Sequence, residues 1–480
     1  MTDSTKVTNP NALDEQTLRD TGQITQIAAA MRASFDAGVT KPLAWRLVQL
    51  DGLDRMLVEN EGAFADALLA DLGKDPAEAY ITESSFVRAE LKLIRGKLKQ
   101  WLQPKMVKPS LAVLPATAYT VLEPLGAVLI IAPWNYPVQL LLAPAIGALA
   151  AGNSVVLKPS ELAPATSALI ARLVPLYLDP SAVAVVEGGI PQTTALLEQR
   201  WDHIFYTGNG TVARIVMTAA AKHLTPVTLE LGGKSPTFVD DSADLKVAAQ
   251  RIAWGKFTNA GQTCVAPDYV MATPGVAERL QPLIAEAITE MYGADPKAGP
   301  YGRIINHNHF DRLAALVANP ANGKVATGGD FDRAAKYLAP TVMADVKFNA
   351  PIMEQEIFGP VLPVVTVADS KEAIAFINSG DKPLALYVFS ERKEVRRAFL
   401  NQTSSGAVTF NLPLAHLAIP DLPFGGVGES GMGAYHGKRS LEIFSHEKAV
   451  VSKPTVPDTL GLVYPPYSDQ QISLLRKVLG

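Results

Sequence analysis

No charged residue occurs between Glu123 and Lys158. A run of this kind has two physical outlets. One is a membrane span, which needs about 20 consecutive apolar residues. The other is the buried interior of a large domain. Gly126, Pro133, Asn135, Pro137, Pro144 and Asn153 decide between them. Their interruptions would leave backbone polar groups unpaired in lipid. The run is therefore read as a strand (127–132), a turn (133–137), a helix (138–151) and a second strand (154–158). That is a βαβ unit of a parallel sheet covered on both faces. The expected fold class is α/β, with a doubly wound, Rossmann-like cofactor domain.

The rest of the chain is organised around this unit. Residues 24–101 read as helices, with Leu47, Leu50, Leu53 and Leu57 on one face. Residues 103–124 break that pattern with prolines and a β-prone stretch, and are read as an extended arm. Strands and helices alternate from 125 to 228, and again from 235 to 409. The expected partition is a nucleotide-binding domain (1–102 and 125–229), a second α/β domain (230–442), and a small β-arm and tail (103–124 and 443–480). The apolar, basic stretch 472–479 is read as docking onto the protein or a partner subunit, with a membrane surface as the alternative.

Composition narrows the function. The chain has 480 residues, 48% hydrophobic and 19% charged, as in ordinary soluble enzymes. A net charge of −4 with dispersed Lys and Arg gives no footprint for nucleic acid. Residues 1–23 are polar, without the apolar core of a signal peptide. One cysteine, Cys264, cannot form an internal disulfide or a multi-cysteine metal site. A cytoplasmic location is expected.

Cys264 follows Gly261-Gln262-Thr263, a small polar turn suited to exposing sulfur in a cleft, although a lone cysteine is ordinarily an inert core residue. Two other polar motifs stand in apolar surroundings: Asn135 in Pro133-Trp134-Asn135-Tyr136-Pro137, and Glu230 before Leu231-Gly232-Gly233-Lys234. Each has a bland reading, in which Asn135 caps a turn and Glu230 pairs with Lys234. Together they supply a thiolate nucleophile, a neutral amide donor for an oxyanion and a carboxylate base. Gly208-Asn209-Gly210-Thr211-Val212-Ala213 fits a phosphate-binding turn after a strand; read alone, it puts Glu230 on a ribose. Gly426–Gly431 fits the same pattern but lacks a following βαβ unit. His307-x-His309 is a metal pair without a third ligand, and no metal is expected.

Five motifs now carry a resemblance: Pro133–Pro137, Leu157–Glu161, Glu230–Lys234, Gly261–Cys264 and Glu356–Pro360. In order and spacing they resemble the aldehyde dehydrogenase superfamily. Residues 221–228, and Pro423–Gly428 leading to Tyr435-His436-Gly437, look like the class 3 or fatty-aldehyde branch, and the bacterial coniferyl aldehyde dehydrogenases are similar. The resemblance implies that Cys264 is the nucleophile, Glu230 the general base for deacylation, and Asn135 with the Cys264 N–H the oxyanion hole. It implies a site for NAD, with NADP as an alternative. Lys158 and Glu161 would meet the adenosine ribose and Gly208 the pyrophosphate helix. Trp134 and Leu231 would lie along the dinucleotide, Glu356 would hold the nicotinamide ribose, and Phe358 would pack near the nicotinamide. Ala213 departs from the glycine common in the family, so only helix packing should differ. The resemblance also implies that 230–442 is the catalytic domain and that the chain is a homodimer, with 103–124 and 443–480 as its oligomerisation arm and tail.

The expected reaction is oxidation of an aldehyde, aromatic such as coniferyl aldehyde or long-chain aliphatic, to the acid through a cysteine thioester. Alternatives are a CoA-acylating dehydrogenase, disfavoured by a carboxylate at 230, a cysteine hydrolase or acyltransferase without a redox step, and a non-catalytic scaffold. Trp254, Phe257 and Leu417 are candidates for the entrance tunnel that are equally well explained as core.

Overall fold

The computed structural model of the protein describes residues 15–479. The reading of residues 1–14 lies outside them. The charge-free run folds as a strand, Ala127–Ile131, a helix, Gln139–Ala151, and a strand, Ser154–Lys158, paired in parallel. Every residue of that helix is buried, which is why it tolerates no charge. Its ends are served by polar groups from elsewhere in the chain. Glu83 accepts hydrogen bonds from the N–H groups of Val138 and Gln139 at 3.0 and 2.8 Å. At the far end Gly152 takes the left-handed conformation, and Arg46 and Thr40 donate to the carbonyls of Ala150 and Gly152. Among the described residues no helix is long and apolar enough to cross a membrane.

Five parallel strands lie side by side in the order Val183–Val185, Ser154–Lys158, Ala127–Ile131, His203–Gly208, Val227–Leu231. Winding outward in both directions from the first strand leaves a crevice at its carboxyl end, between 127–131 and 203–208. The turn with Asn135 and the turn with Gly208 both leave the sheet there. A short strand near the other end of the chain, Gly431–Met432, pairs antiparallel with Val227–Leu231 and sets Gly431 opposite Glu230. The Gly426–Gly431 glycines make this return. A Cβ on Gly426 would strike the Ser430 backbone, and one on Gly431, at φ +145°, the Leu229 carbonyl.

A second sheet holds, in order, Lys324–Thr327, Thr341–Val346, Val361–Thr366, Tyr269–Ala272, Pro236–Val239, Ala385–Phe389 and Ala407–Phe410, parallel except for the first pair. Residues 103–124 contribute two strands that stand apart from both large sheets. Lys105–Val107, Thr117–Pro124 and Ser445–Ser452 make a separate antiparallel sheet. The tail is helical over Asp469–Leu479 and lies beside the turns Leu111–Val113 and Thr459–Val463.

Candidate functional site

Between the two large sheets lies a cavity of about 800 Å³. Cys264, Glu230 and Asn135 all line it. So do Trp134, Lys158, Glu161 and Gly208, and the walls are completed in part by Leu231, Glu356 and Phe358. The crevice at the carboxyl end of the first sheet thus gathers residues from motifs more than 200 positions apart.

The loop before Cys264 is unusual. Asn259, Ala260 and Gly261 take positive φ in succession (54°, 50° and 73°). For non-glycine residues this costs free energy and persists only where the surroundings enforce it. Here they do. The Asn259 N–H donates to Glu78, and its side chain donates to the carbonyls of Asn135 and Gln262. The Gln262 side chain donates to the Asn259 and Arg303 carbonyls and accepts from the Ile305 N–H. A Cβ on Gly261 would strike the carbonyl of Gly359. The loop delivers a half-buried thiol to the cavity wall. Burial, with Glu356 and Glu230 nearby, pushes that thiol up, against the pull of its own N–H and that of Val265.

Glu230 is 2% exposed, and neither carboxylate oxygen has a hydrogen-bond partner. Burial raises it well above the usual carboxylate range. A buried carboxylate with both oxygens unsatisfied is rare and costly in a purely structural role. The expected pairing with Lys234 is not made. Lys234 instead reaches Asp268 at 2.6 Å and the carbonyls of Ile352 and Gln355 at 2.9 and 3.0 Å. Asp268 in turn accepts from the Ile357 N–H. These bonds hold the loop carrying Glu356 and Phe358. Glu356 is raised to about 8, chiefly by burial and then by Asp268. The Asn135 amide nitrogen has two N–H donors; one goes to the Gln262 carbonyl at 3.0 Å.

The cofactor end of the cavity is equally defined. A Cβ on Gly208 would collide with the Tyr206 hydroxyl, and one on Gly232 with the Glu356 carboxylate. Both backbones are bare where a ligand must come close. Helix Gly210–Ala221 starts just beyond Gly208, capped by Asn209, whose side chain accepts from the Val212 N–H. Such an N-terminus favours a phosphate. Ala213 is buried in the core beneath it. Lys158 is buried, lowered by burial, and lies 3.5 Å from half-exposed Glu161. Trp134 meets Phe358 edge-on at 5.4 Å and His309 at 5.2 Å. His309 is thus an aromatic neighbour in the wall. These residues fit a dinucleotide: a cation and a carboxylate at one end, bare glycines and a helix N-terminus in the middle, aromatic rings at the other.

Sequence reasoning left Trp254, Phe257 and Leu417 open between tunnel and core: Phe257 is core, and Trp254 and Leu417 line the cavity. It missed Phe86, Phe424 and Tyr435, which reach the cavity from distant segments. It also missed the Lys74–Glu83 ion pair behind the Asn135 turn.

Comparison with known proteins agrees with this geometry. Residues 2–450 match the family described as the Aldehyde dehydrogenase family. The dog protein named aldehyde dehydrogenase, dimeric NADP-preferring, is 47% identical over 446 residues, 92% of this chain and 98% of that protein. Human aldehyde dehydrogenase family 3 member B1 is 49% identical, over 93% of this chain and 95% of that one. A solved structure of the substrate-bound state of Staphylococcus aureus AldH is 41% identical, with a TM-score of 0.91, over 98% of this chain and 100% of that chain. The chain belongs to the aldehyde dehydrogenase family. It is an NAD(P)-dependent enzyme that oxidises aldehydes, on the branch of the family 3 members.

Proposed function

We propose that Cys264 is the nucleophile, Glu230 the base that activates water, and Asn135 with the Cys264 N–H the oxyanion hole. The observation that carries this reading is the pair of unpartnered Glu230 oxygens lining the same cavity as the thiol. The thiolate adds to the aldehyde carbon, and the oxyanion so formed is held by the Asn135 amide and the Cys264 N–H. When bound, NAD(P) would supply the acceptor for the hydride that leaves the substrate carbon. Glu230 then takes a proton from water as the water attacks the thioester carbon, breaking its bond to the Cys264 sulfur and releasing the carboxylic acid and the Cys264 thiolate. Lys158 and Glu161 would hold the adenosine ribose, Gly208 would admit the pyrophosphate, and Trp134 and Leu231 would flank the dinucleotide. Glu356 would hold the nicotinamide ribose, and Phe358 would pack near the nicotinamide.

The substrate end is walled by Phe86, Trp254, Leu414, Leu417, Phe424 and Tyr435. No charge stands among them, which favours an apolar aldehyde, aromatic such as coniferyl aldehyde or long-chain aliphatic. Half-exposed Glu161 disfavours a 2′-phosphate by like charge, so NAD is the proposed cofactor and NADP a tolerated one. The arm exposes Met106, Leu111 and Val451, a surface suited to a second copy of the chain. A homodimer in the cytoplasm is the proposed state, with the partition into nucleotide-binding (1–102, 125–229), catalytic (230–442) and arm (103–124, 443–480) segments. Absorbance of reduced nicotinamide, followed with aromatic and long-chain aldehydes and both cofactors, tests the reading. Turnover without CoA supports it. Turnover that requires CoA, or ester cleavage with no redox signal, overturns it.

A further inference from the structure

We propose that Lys74 and Glu83 form a positioning pair that holds Asn135 where its amide meets the oxyanion; this rests on the role given to Asn135 above. Both side chains are wholly buried, 2.8 Å apart, and neither belongs to the cavity wall. Withdrawing two charges from water commonly costs more than their attraction returns, so a buried pair is weak as mere glue, and fixing register is its best-attested use.

The surroundings show what is being fixed. Glu83 sits in Tyr80–Ser84, a π-helical turn between the helical stretches Pro76–Ala79 and Ser85–Trp101. Such turns recur at functional sites because the extra residue redirects a side chain. One Glu83 oxygen takes the Lys74 ammonium; the other accepts from the Val138 and Gln139 N–H groups. Those N–H groups open the fully buried helix that begins directly after the Asn135 turn, and they have no partner within the helix itself. Lys74 Nζ lies 3.4 Å from the Asn135 carbonyl and 4.3 Å from the centre of the Tyr136 ring. The same carbonyl accepts from the Asn259 side chain at 2.8 Å. The Asn135 backbone is therefore gripped between the ion pair on one side and the Cys264 loop on the other. Only its side chain is left to address the cavity.

A double-mutant cycle tests this on the full chain. Lys74→Met with Glu83→Gln is made in the parent and in Asn135→Ala. In the parent, kcat for aldehyde oxidation should fall about 10- to 100-fold, the scale of a small misplacement of a catalytic group. Dinucleotide affinity and the rate of Cys264 alkylation by iodoacetamide should stay unchanged, since neither uses an oxyanion donor. In the Asn135→Ala background the two changes should cost nothing further. An equal loss in both backgrounds, or none in the parent, overturns the proposal. If Asn135→Ala itself costs nothing, the oxyanion role fails first, and the pair's role fails with it. If the paired variant does not bind dinucleotide, Glu83→Asp enters the same cycle, with the same results expected and the same results decisive against the proposal.

Discussion

The Tyr136 hydroxyl lies 2.6 Å from the hydroxyl of Thr263. One residue follows Asn135 and the other precedes Cys264, so a single hydrogen bond ties the amide turn to the thiol loop. Both groups are buried. Tyr136→Phe leaves the Thr263 hydroxyl without its partner, which costs about 1–3 kcal/mol. Chemical unfolding should show that loss, with kcat lower and cofactor affinity unchanged. An unaltered unfolding midpoint would mean the bond is not made in solution.

Cys264→Ser should lower aldehyde oxidation by more than about a thousandfold, because a hydroxyl at neutral pH is a far weaker nucleophile than a thiolate. Dinucleotide binding, followed by protein fluorescence, should persist. Normal turnover in this variant would remove the thioester route.

Glu230→Gln should release one reduced nicotinamide per site in a burst and then stall. It should also change stability with a definite sign. Burial raises Glu230 in the folded state, so the protonated form is the favoured one. The carboxylate's penalty is absent below the ordinary carboxylate range and grows as pH rises toward and through the raised value. Glu230→Gln should therefore be more stable than the parent at pH 8, by at least about 1 kcal/mol, the gap closing toward pH 4. Thermal unfolding across that range measures it. The same sign predicts that deacylation slows as pH falls, along a limb displaced above the usual carboxylate position.

Asp268→Asn should loosen the loop that carries Glu356 and Phe358. Lys234 would lose its ionic partner at a site where it is mostly buried, and breaking a buried pair costs about 3–5 kcal/mol. Weaker dinucleotide binding with an intact rate of Cys264 alkylation is the expected outcome, read by titration and by mass spectrometry.

His416 and His436 both stack on Phe424, at 5.8 and 5.4 Å, with no hydrogen-bond partner on either ring. Burial lowers them to about 4 and about 3. Both stay neutral in the folded chain while the unfolded chain binds protons near pH 6.5. Their contribution is present above that value and is lost as pH falls toward 4. Replacing both with Phe should flatten this acid limb of the unfolding curve. A parallel limb in the variant would assign acid sensitivity elsewhere, for instance to buried His203, lowered to about 3.

What could be read from the chain alone followed from local physics. The charge-free run could only be a buried βαβ unit, and the polar motifs at its strand ends stood out against apolar surroundings. Lys74 and Glu83 did not, because charges in a loop or on a helical stretch ordinarily face water, and only the π-helical turn that carries Glu83 and the buried helix opposite draw the pair inward. Trp254 and Phe257 lie three positions apart on one helix, one in the cavity wall and one in the core, and periodicity does not separate them. Gly431–Met432 is too short to carry any alternation, so its return to the first sheet was invisible. The Lys234–Asp268 clasp joins positions that sequence spacing gives no reason to pair.

That late return has a consequence for how the protein comes into being. The strand bearing Glu230 gains its last neighbour only when residues 431–432 arrive, and Phe424 and Tyr435 close the wall in the same stretch. A ribosome must therefore synthesise about nine-tenths of the chain before any substrate chamber exists. Until then the lone thiol has no finished compartment in which to meet an aldehyde.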